Sequence, residues 1–483
     1  MKTSLLLSAA LLLLIACEPD SELSQTDQDR EAIENGLLPG LVLKGESLQP
    51  QNIIDRLSEL KVPGASVAVV RNGKIEWLET YGWADISNQV ALDTNTLFQA
   101  ASISKPITAI GVLKLVEEGK LNLDTDVNTY LKSWQIPDSD FTDSQKVTLR
   151  LLLTHTAGVN VHGFAGYEID PNLSTSDVLN GKGNSDSIKV IRTPGTEWAY
   201  SGGGYVIIQQ VIEDVTGEAF DVYMDREILP ALNMINSTFA QPLPEDLHGN
   251  TSLAYRSNMS VNEHGWNTYP AKAPAGLWTT PKDLANYFIE IHKIYATRST
   301  DGILSPETVD AMLTPHLGEW GLGPALEWSG DSLRMQHGGK NMGFSNIFVG
   351  QPKLGNAAII LTNGDNGTIA MREVLRSISR HYEWGLLGVD TVIPFNHPPS
   401  FLEEISGTYV YQSPNSPEPY VIEFRQNGAY MEVINPDGEV EERVIAESDS
   451  VFIDLTDGDV LKFITLGENA HFSWNDTFDF YKR

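Results

Sequence analysis

The chain has 483 residues, 41% hydrophobic and 20% charged, the proportions of a globular protein. Its 33 lysines and arginines stand against 64 aspartates and glutamates, a formal net charge of −31, which excludes nucleic acid as a partner because there is no excess of cations to neutralise phosphates. Cys17 is the single cysteine, so an intramolecular disulfide and a cysteine-built metal cluster are excluded too.

At the start, Lys2 precedes an almost unbroken apolar run from Leu5 to Ala16. The run is too short to span a bilayer and has the layout of an export signal. It ends Leu14-Ile15-Ala16-Cys17, which resembles the lipobox of bacterial lipoproteins, whose cysteine is acylated. That resemblance implies a signal peptide over 1–17 and an exported lipoprotein, periplasmic or at the cell surface, attached to a bacterial membrane only through lipid on Cys17. The next segment is polar, acidic and aperiodic, and a flexible tether is expected over residues 18–45.

A large domain is expected over residues 46–393. Ala65–Val70 and Lys74–Tyr81 read as strands joined by Arg71-Asn72-Gly73, and Asn-Gly is a strong hairpin signal. Ile107–Glu117 is apolar nearly all round, which predicts a buried helix ending at Gly119. Further helices are predicted over Val206–Val215 and Pro281–His292, and a second strand pair over Phe344–Val349 and Asn356–Thr362. Terminal strands enclosing a helical middle give an α+β domain whose mainly antiparallel sheet is closed by both ends of the segment. Prolines at 394, 398 and 399 mark a linker over 394–400. Beyond it, residues 401–483 form a small all-β domain, barrel or sandwich, with strands at Gly407–Tyr411, Tyr420–Arg425, Ala429–Ile434, Val451–Leu455, Leu461–Thr465 and His471–Trp474. Its turns carry Asn427-Gly428, Asp437-Gly438 and Asp457-Gly458.

The chemistry starts at Ser102-Ile103-Ser104-Lys105. On a helix, residues three apart share a face, so Ser102 Oγ and Lys105 Nζ can meet. A serine hydroxyl needs a base, and a lysine serves if burial depresses its pKa. An amide at the helix start could also help bind an oxyanion. Alone the pattern is weak: Ser58-Glu59-Leu60-Lys61 repeats it, but runs into Val62-Pro63-Gly64, so that lysine is expected at a helix end in solvent.

Ser102 has companions in order: Leu151-Leu152-Leu153-Thr154-His155-Thr156-Ala157-Gly158, Pro194-Gly195-Thr196-Glu197-Trp198-Ala199-Tyr200-Ser201-Gly202, Ala275-Gly276-Leu277-Trp278-Thr279-Thr280-Pro281 and His337-Gly338-Gly339-Lys340-Asn341-Met342-Gly343-Phe344. The succession resembles the serine β-lactamase and penicillin-binding protein superfamily over roughly residues 50–385, in its class C β-lactamase-like branch with D-aminopeptidases, D,D-carboxypeptidases and carboxylesterases. The resemblance implies that Ser102 is the acylated nucleophile, Lys105 its partner, and Tyr200 a phenol sharing proton transfer, with a nearby ammonium favouring the phenolate. It implies that His337-Gly338-Gly339 lies on the strand edging the pocket, and that the amides of Ser102 and Lys340 form the oxyanion hole. Two departures stand out. Tyr-x-Asn of the family is Tyr200-Ser201-Gly202 here, and Gly202 offers no side chain to an acylamide; His337 replaces a lysine and is charged only in part near neutral pH. Both lean towards an esterase or peptidase with a less anionic substrate.

Other residues are discounted. His155 is expected to hold a loop; His155 and His162 lack metal-ligand spacing; Asp454, Asp457 and Asp459 lack the calcium-loop pattern; Trp198, Trp278 and Phe344 are expected in packing. No Gly-x-Ser-x-Gly elbow occurs. The expected function is a serine hydrolase on carboxylic esters or D-amino-acid amides and peptides. The alternatives are a D,D-peptidase or β-lactamase with penicillin as inhibitor or slow substrate, and a surface binding protein that has lost catalysis. The partner is a small-molecule or peptide substrate, no metal or organic cofactor is called for, and no feature fixes an oligomeric state.

Overall fold

The computed structural model describes residues 23–483 apart from 330–331, 413–418, 429, 437, 439, 456–457 and 476–477. The expected signal peptide with Cys17 lies outside the described residues, as do Ala429, Asp437 and Asp457 of the expected strands and turns.

The chain after residue 23 is not the free tether expected over 18–45. Ser24 caps helix α1 (Gln25–Glu34), its Oγ accepting the Asp27 N–H at 3.2 Å. Ile33, Leu37 and Leu38 are almost fully buried, and the carbonyls of Ile33 and Leu38 accept from Ser377 Oγ and Arg376 Nη1, each at 2.8 Å. Three apolar side chains hold a polar segment because a distant helix supplies the receiving surface, and local composition cannot show that. Strand β1 (Leu41–Leu43) follows, then helix α2 (Ile53–Glu59). Removal of residues 1–23 is therefore expected to leave thermal stability nearly unchanged, whereas removal of 1–45 lowers Tm by on the order of 10 °C. Differential scanning calorimetry of the two truncations decides; equal melting would contradict the docking of α1.

Strands β2 (Gly64–Arg71) and β3 (Lys74–Asp85) form the expected hairpin, with Asn72 at φ +51° and Gly73 at φ +71°. Both turn residues take the left-handed region that a two-residue hairpin requires. Downstream come strands β4 (Val90–Ala91), β5 (Ala325–Ser329), β6 (Ser332–Asn341), β7 (Phe344–Gln351) and β8 (Asn356–Thr362). The sheet order is β4-β3-β2-β8-β7-β6-β5, antiparallel throughout, with β2 paired to β8 from Ala65↔Thr362 to Val70↔Ala357. Both ends of the domain thus close one sheet, as expected from the pattern.

The β2 run is continuously apolar because both of its faces are covered. Val67 and Val69 pack with Ile33, Val374 and Ile378, while Ala68 and Val70 belong to the larger core with Ile291 and Phe348. That larger core holds helix α3 (Ser104–Glu117), helix α4 (Gly202–Thr216), the short helix α5 (Lys272–Ala275) and helix α6 (Pro281–Thr297). Helix α7 (Gly367–His381) covers the opposite face.

The C-terminal domain is a closed antiparallel barrel of eight strands: β10 (Gly407–Tyr411), β11 (Tyr420–Asn427), β12 (Tyr430–Ile434), β13 (Val440–Ala446), β14 (Val451–Asp454), β15 (Val460–Thr465), β16 (His471–Trp474) and β17 (Phe478–Lys482). Barrel, not sandwich, is the outcome, with β10 closing on β17 through Tyr409↔Lys482. Sequence patterning missed β13, which carries the charged run Glu441-Glu442-Arg443, and β17. The interior is filled by Tyr409, Phe424, Phe452, Phe463 and Phe472, in ring contact with one another. The expected linker over 394–400 is also seated: Phe395 N–H donates to Ala446 O at 2.7 Å, and a helix starts at Pro399. Just before it, strand β9 (Asp390–Val392) pairs in parallel with β1, and Leu41 and Val392 pack on Ile445 and Ile453 of the barrel.

Candidate active site

Ala101–Ile103 make one tight 3₁₀ turn that runs straight into α3. Ala101 has φ +51°, an uncommon conformation for a residue with a Cβ. The buried Ser104 hydroxyl secures the turn, donating to Ala101 O at 2.5 Å and accepting the Leu277 N–H at 3.0 Å. Half-buried Ser102 thereby stands at the start of an otherwise buried helix. At the decoy motif, Ser58 and Lys61 are both exposed.

Lys105 is 1% exposed. Its Nζ donates to Ser102 Oγ at 3.0 Å and to Pro274 O at 2.9 Å, and it stands 4.8 Å from the centre of the Tyr200 ring. No carboxylate offsets its burial, which brings the ammonium down to about 7. The Tyr200 hydroxyl also interacts with Ser102. Burial pushes the Tyr200 phenol well up, with only this interaction opposing it. Tyr200 is thus a neutral phenol at neutral pH, and the expectation of a phenolate is corrected: desolvation outweighs the nearby amine.

His155 sits under this array. Its Nδ1 accepts the Ser201 N–H at 3.1 Å, its carbonyl accepts the Ala199 N–H at 2.9 Å, and its ring lies 4.2 Å from that of Tyr200. It positions the segment 199–201. His337 lies on β6, 4% exposed. Its Nδ1 is 2.7 Å from Gly338 O and must carry the proton that bonds there, leaving Nε2 a buried lone pair without a protein partner. Burial and the charge of Lys105 push His337 down to about 3, so no cation stands where the family's lysine would.

Gly339 is fixed by contact. A Cβ there would lie 2.1 Å from Ala100 O, so β6 can approach the Ser102 turn this closely only with glycine. Gly338 is exposed, and a Cβ on it would meet nothing nearer than Asn346 O at 4.0 Å. The Lys340 ammonium is occupied by Ser345 Oγ at 2.8 Å and by the Asp365 carbonyl, so only its backbone amide is left for the oxyanion role. Gly202 opens α4, and its N–H donates to His162 O at 2.9 Å; the amide is used inside the protein.

Two contributors were invisible in the sequence. Pro274 acts through its backbone carbonyl, which no side-chain motif reports. Trp320 packs edge-on to His155, Tyr200 and His337, with ring centres 5.0, 5.7 and 5.5 Å away, and its Nε1 donates to Gly323 O. The glycines at 318, 321 and 323 around it were its only signal. Trp198, exposed, stands 5.5 Å from Trp320, whereas Trp278 and Phe344 are core residues as expected. Among the described residues no cluster of histidine and carboxylate side chains could hold a metal ion.

"Protein flp" of Staphylococcus aureus (strain N315) is 26% identical over 228 residues, which is 46% of this chain and 42% of that protein. PbpX of Bacillus subtilis (strain 168) is 30% identical over 226 residues, 46% of this chain and 54% of its own length. The chain thus spans about half the length of these relatives. Among solved structures, an octameric penicillin-binding protein homologue from Pyrococcus abyssi superposes with a TM-score of 0.59 at 19% identity, covering 89% of this chain and 98% of that one. A penicillin-binding protein from Bacillus halodurans gives 0.52 at 20% identity, over 67% of this chain and 97% of its own. The Beta-lactamase family model matches residues 50–378, well over half the chain, and the protein belongs to that family.

Proposed function

We propose that the chain is a serine hydrolase that works through an acyl-enzyme on Ser102 and acts on carboxylic esters or D-amino-acid amides and peptides. The observation that carries this is the buried, half-neutral Lys105 at 3.0 Å from Ser102 Oγ. In its amine form Lys105 takes the serine proton as Ser102 attacks the substrate carbonyl. The backbone amides of Ser102 and Lys340 receive the oxyanion. Tyr200, beside Lys105, passes a proton to the leaving group and regains one from Lys105. Water then takes the place of the leaving group and releases the acid by the reverse path. Every step uses side chains and amides of the chain itself.

The substrate class rests on the two positions where the chain departs from the family's motifs. His337 is neutral and Gly202 has no side chain, so neither a permanent cation for a substrate carboxylate nor an amide for an acylamide comes from these two positions. This favours uncharged esters and amides over penicillins, which remain as inhibitors or slow substrates in the second reading. Export, with Cys17 as lipid anchor, is part of the proposal on the sequence of residues 1–17 alone.

A fluorophosphonate probe is expected to label the wild-type protein and not Ser102→Ala. Equal labelling of both, or of neither, would overturn the hydrolase reading and favour a binding protein. Comparison of a nitrophenyl butyrate, a D-alanyl anilide and a chromogenic cephalosporin then ranks the substrates, and a clear preference for the cephalosporin would refute the ester assignment.

A further inference from the structure

Lys105 takes one of its two hydrogen bonds from Pro274 O, and Pro274 sits in an element that cannot hold itself in place. Helix α5 is a single turn, Lys272-Ala273-Pro274-Ala275, and one turn fixes several residues in return for very few bonds. The residue before it, Ala271, has no side-chain oxygen with which to cap the turn, and Pro274 brings no N–H. The Ala273 N–H stands at the start of the helix, where an amide has no partner within the turn. Another element must supply one.

Gln209 of α4, 1% exposed, supplies it. Its side-chain oxygen accepts the Ala273 N–H at 2.9 Å, and its amide nitrogen donates to Pro270 O at 3.1 Å and to Thr175 Oγ1 at 2.9 Å. The two backbone groups fix which end of the amide is which, because an N–H needs the oxygen and a carbonyl needs the nitrogen. Residues 270 and 273 flank the entry into α5, so one side chain pins that entry at two points. Thr108 Oγ1 of α3 donates to Ala273 O at 3.0 Å and Asn341 Nδ2 of β6 to Ala275 O at 3.2 Å; these hold later carbonyls of the turn. Helix α4 also starts two residues after Tyr200. One rigid element thus carries the phenol at its head and, about two turns on, the amide that seats the carbonyl facing Lys105.

We propose that Gln209 is a positioning residue for acyl transfer: by clamping the entry into α5 it aims Pro274 O at Lys105 and so keeps the lysine nitrogen on Ser102. The catalytic consequence rests on the hydrolase reading above. The groups facing Lys105 are the rings of Tyr200 and Tyr205, 4.8 and 5.6 Å from its nitrogen, and His155, His162 and His337, whose imidazoles feel its charge. The hydrogen bonds of Gln209 go instead to Thr175, Pro270 and Ala273. A change at Gln209 therefore reaches Lys105 by way of Pro274 O.

Gln209→Met, similar in length and unable to bond the backbone, tests this with two separate readouts. Withdrawal of Pro274 O takes an acceptor from the ammonium and favours the neutral amine. In protein labelled with carbon-13 at lysine Cε, the Lys105 signal being identified by its loss in Lys105→Met, the titration midpoint is expected to fall by about one pH unit from about 7. On nitrophenyl butyrate, kcat at a pH above the ascending limb is expected to fall about tenfold with KM little changed, as for a base displaced by a fraction of an ångström. Gln209→Glu, whose neutral carboxyl keeps one acceptor and one donor, recovers most of both. Should the methionine variant not fold, Gln209→Asn, polar but too short to reach α5, is measured in its place. An unchanged midpoint, a rise in KM while kcat holds, or equal losses in the methionine and glutamate variants would each overturn the assignment. If the wild-type protein neither hydrolyses the ester nor takes the fluorophosphonate label, the hydrolase reading fails; the lysine titration still decides whether Gln209 seats Lys105.

Discussion

Replacing Lys105 by methionine is expected to lower kcat/KM towards a nitrophenyl ester by about 10³-fold, within the range typical for a positioned base. In the wild-type protein the active form is the neutral amine. Burial has brought its pKa down to about 7, so activity should rise about tenfold per pH unit below about 7 and level off above it. Methionine removes this limb. A pH profile without an ascending limb in the wild-type protein would sink the assignment, and a limb only at much higher pH would point to the raised phenol of Tyr200. The replacement loses the bond to Pro274 O at 2.9 Å but also removes an amine from a dry site. Stability should therefore change by no more than about 1–3 kcal/mol, so a folded, inactive protein is the expected result.

Gly339→Ala is expected to cost about 10²-fold in kcat. The new methyl would meet Ala100 O at 2.1 Å and Ala101 Cβ at 3.4 Å. Neither can swing aside, because both belong to the turn that presents Ser102. The strand must move away by something like 1 Å, and misplacement of that size is enough for a 10²-fold loss. Gly338→Ala, whose methyl meets nothing within 4 Å save Asn346 O at 4.0 Å, should cost far less. Steady-state kinetics on the two variants, with circular dichroism to confirm folding, make the comparison. Equal effects would mean that the close approach of β6 to Ala100 does not position the nucleophile.

The sheet was legible because both strand pairs carry apolar patterns with turn residues at their tips, and α3 because its sequence is apolar on every side. Ser102, Lys105, Tyr200 and His337 were legible as side chains in ordered motifs, and the structure brings all four together. What was not legible acts through the backbone or from far away in sequence. Pro274 contributes a carbonyl, Ser104 holds a turn, and Trp320 sits in a loop with no motif. The helix α1 looked like tether because its receiving surface, α7, lies more than 300 residues downstream. Gln209 escaped notice because it binds backbone groups of residues 270 and 273, and composition does not record that.

The closure of one sheet by β2 and β8 also sets a timetable for folding. The strands that pair, from Ala65↔Thr362 to Val70↔Ala357, are separated by about 290 residues, and contacts that distant are slow to form. At about 5–20 residues per second of synthesis, the β2–β3 hairpin waits roughly 15–60 s for its central neighbour, and a hairpin by itself is marginal in water. The barrel follows the opposite logic: each strand pairs with the next in sequence, and only β10 and β17 must meet across the domain. The last part of the chain to be made can therefore fold quickly. The first part, although it heads the domain that holds Ser102, stays exposed until residue 362 has been made and can pair.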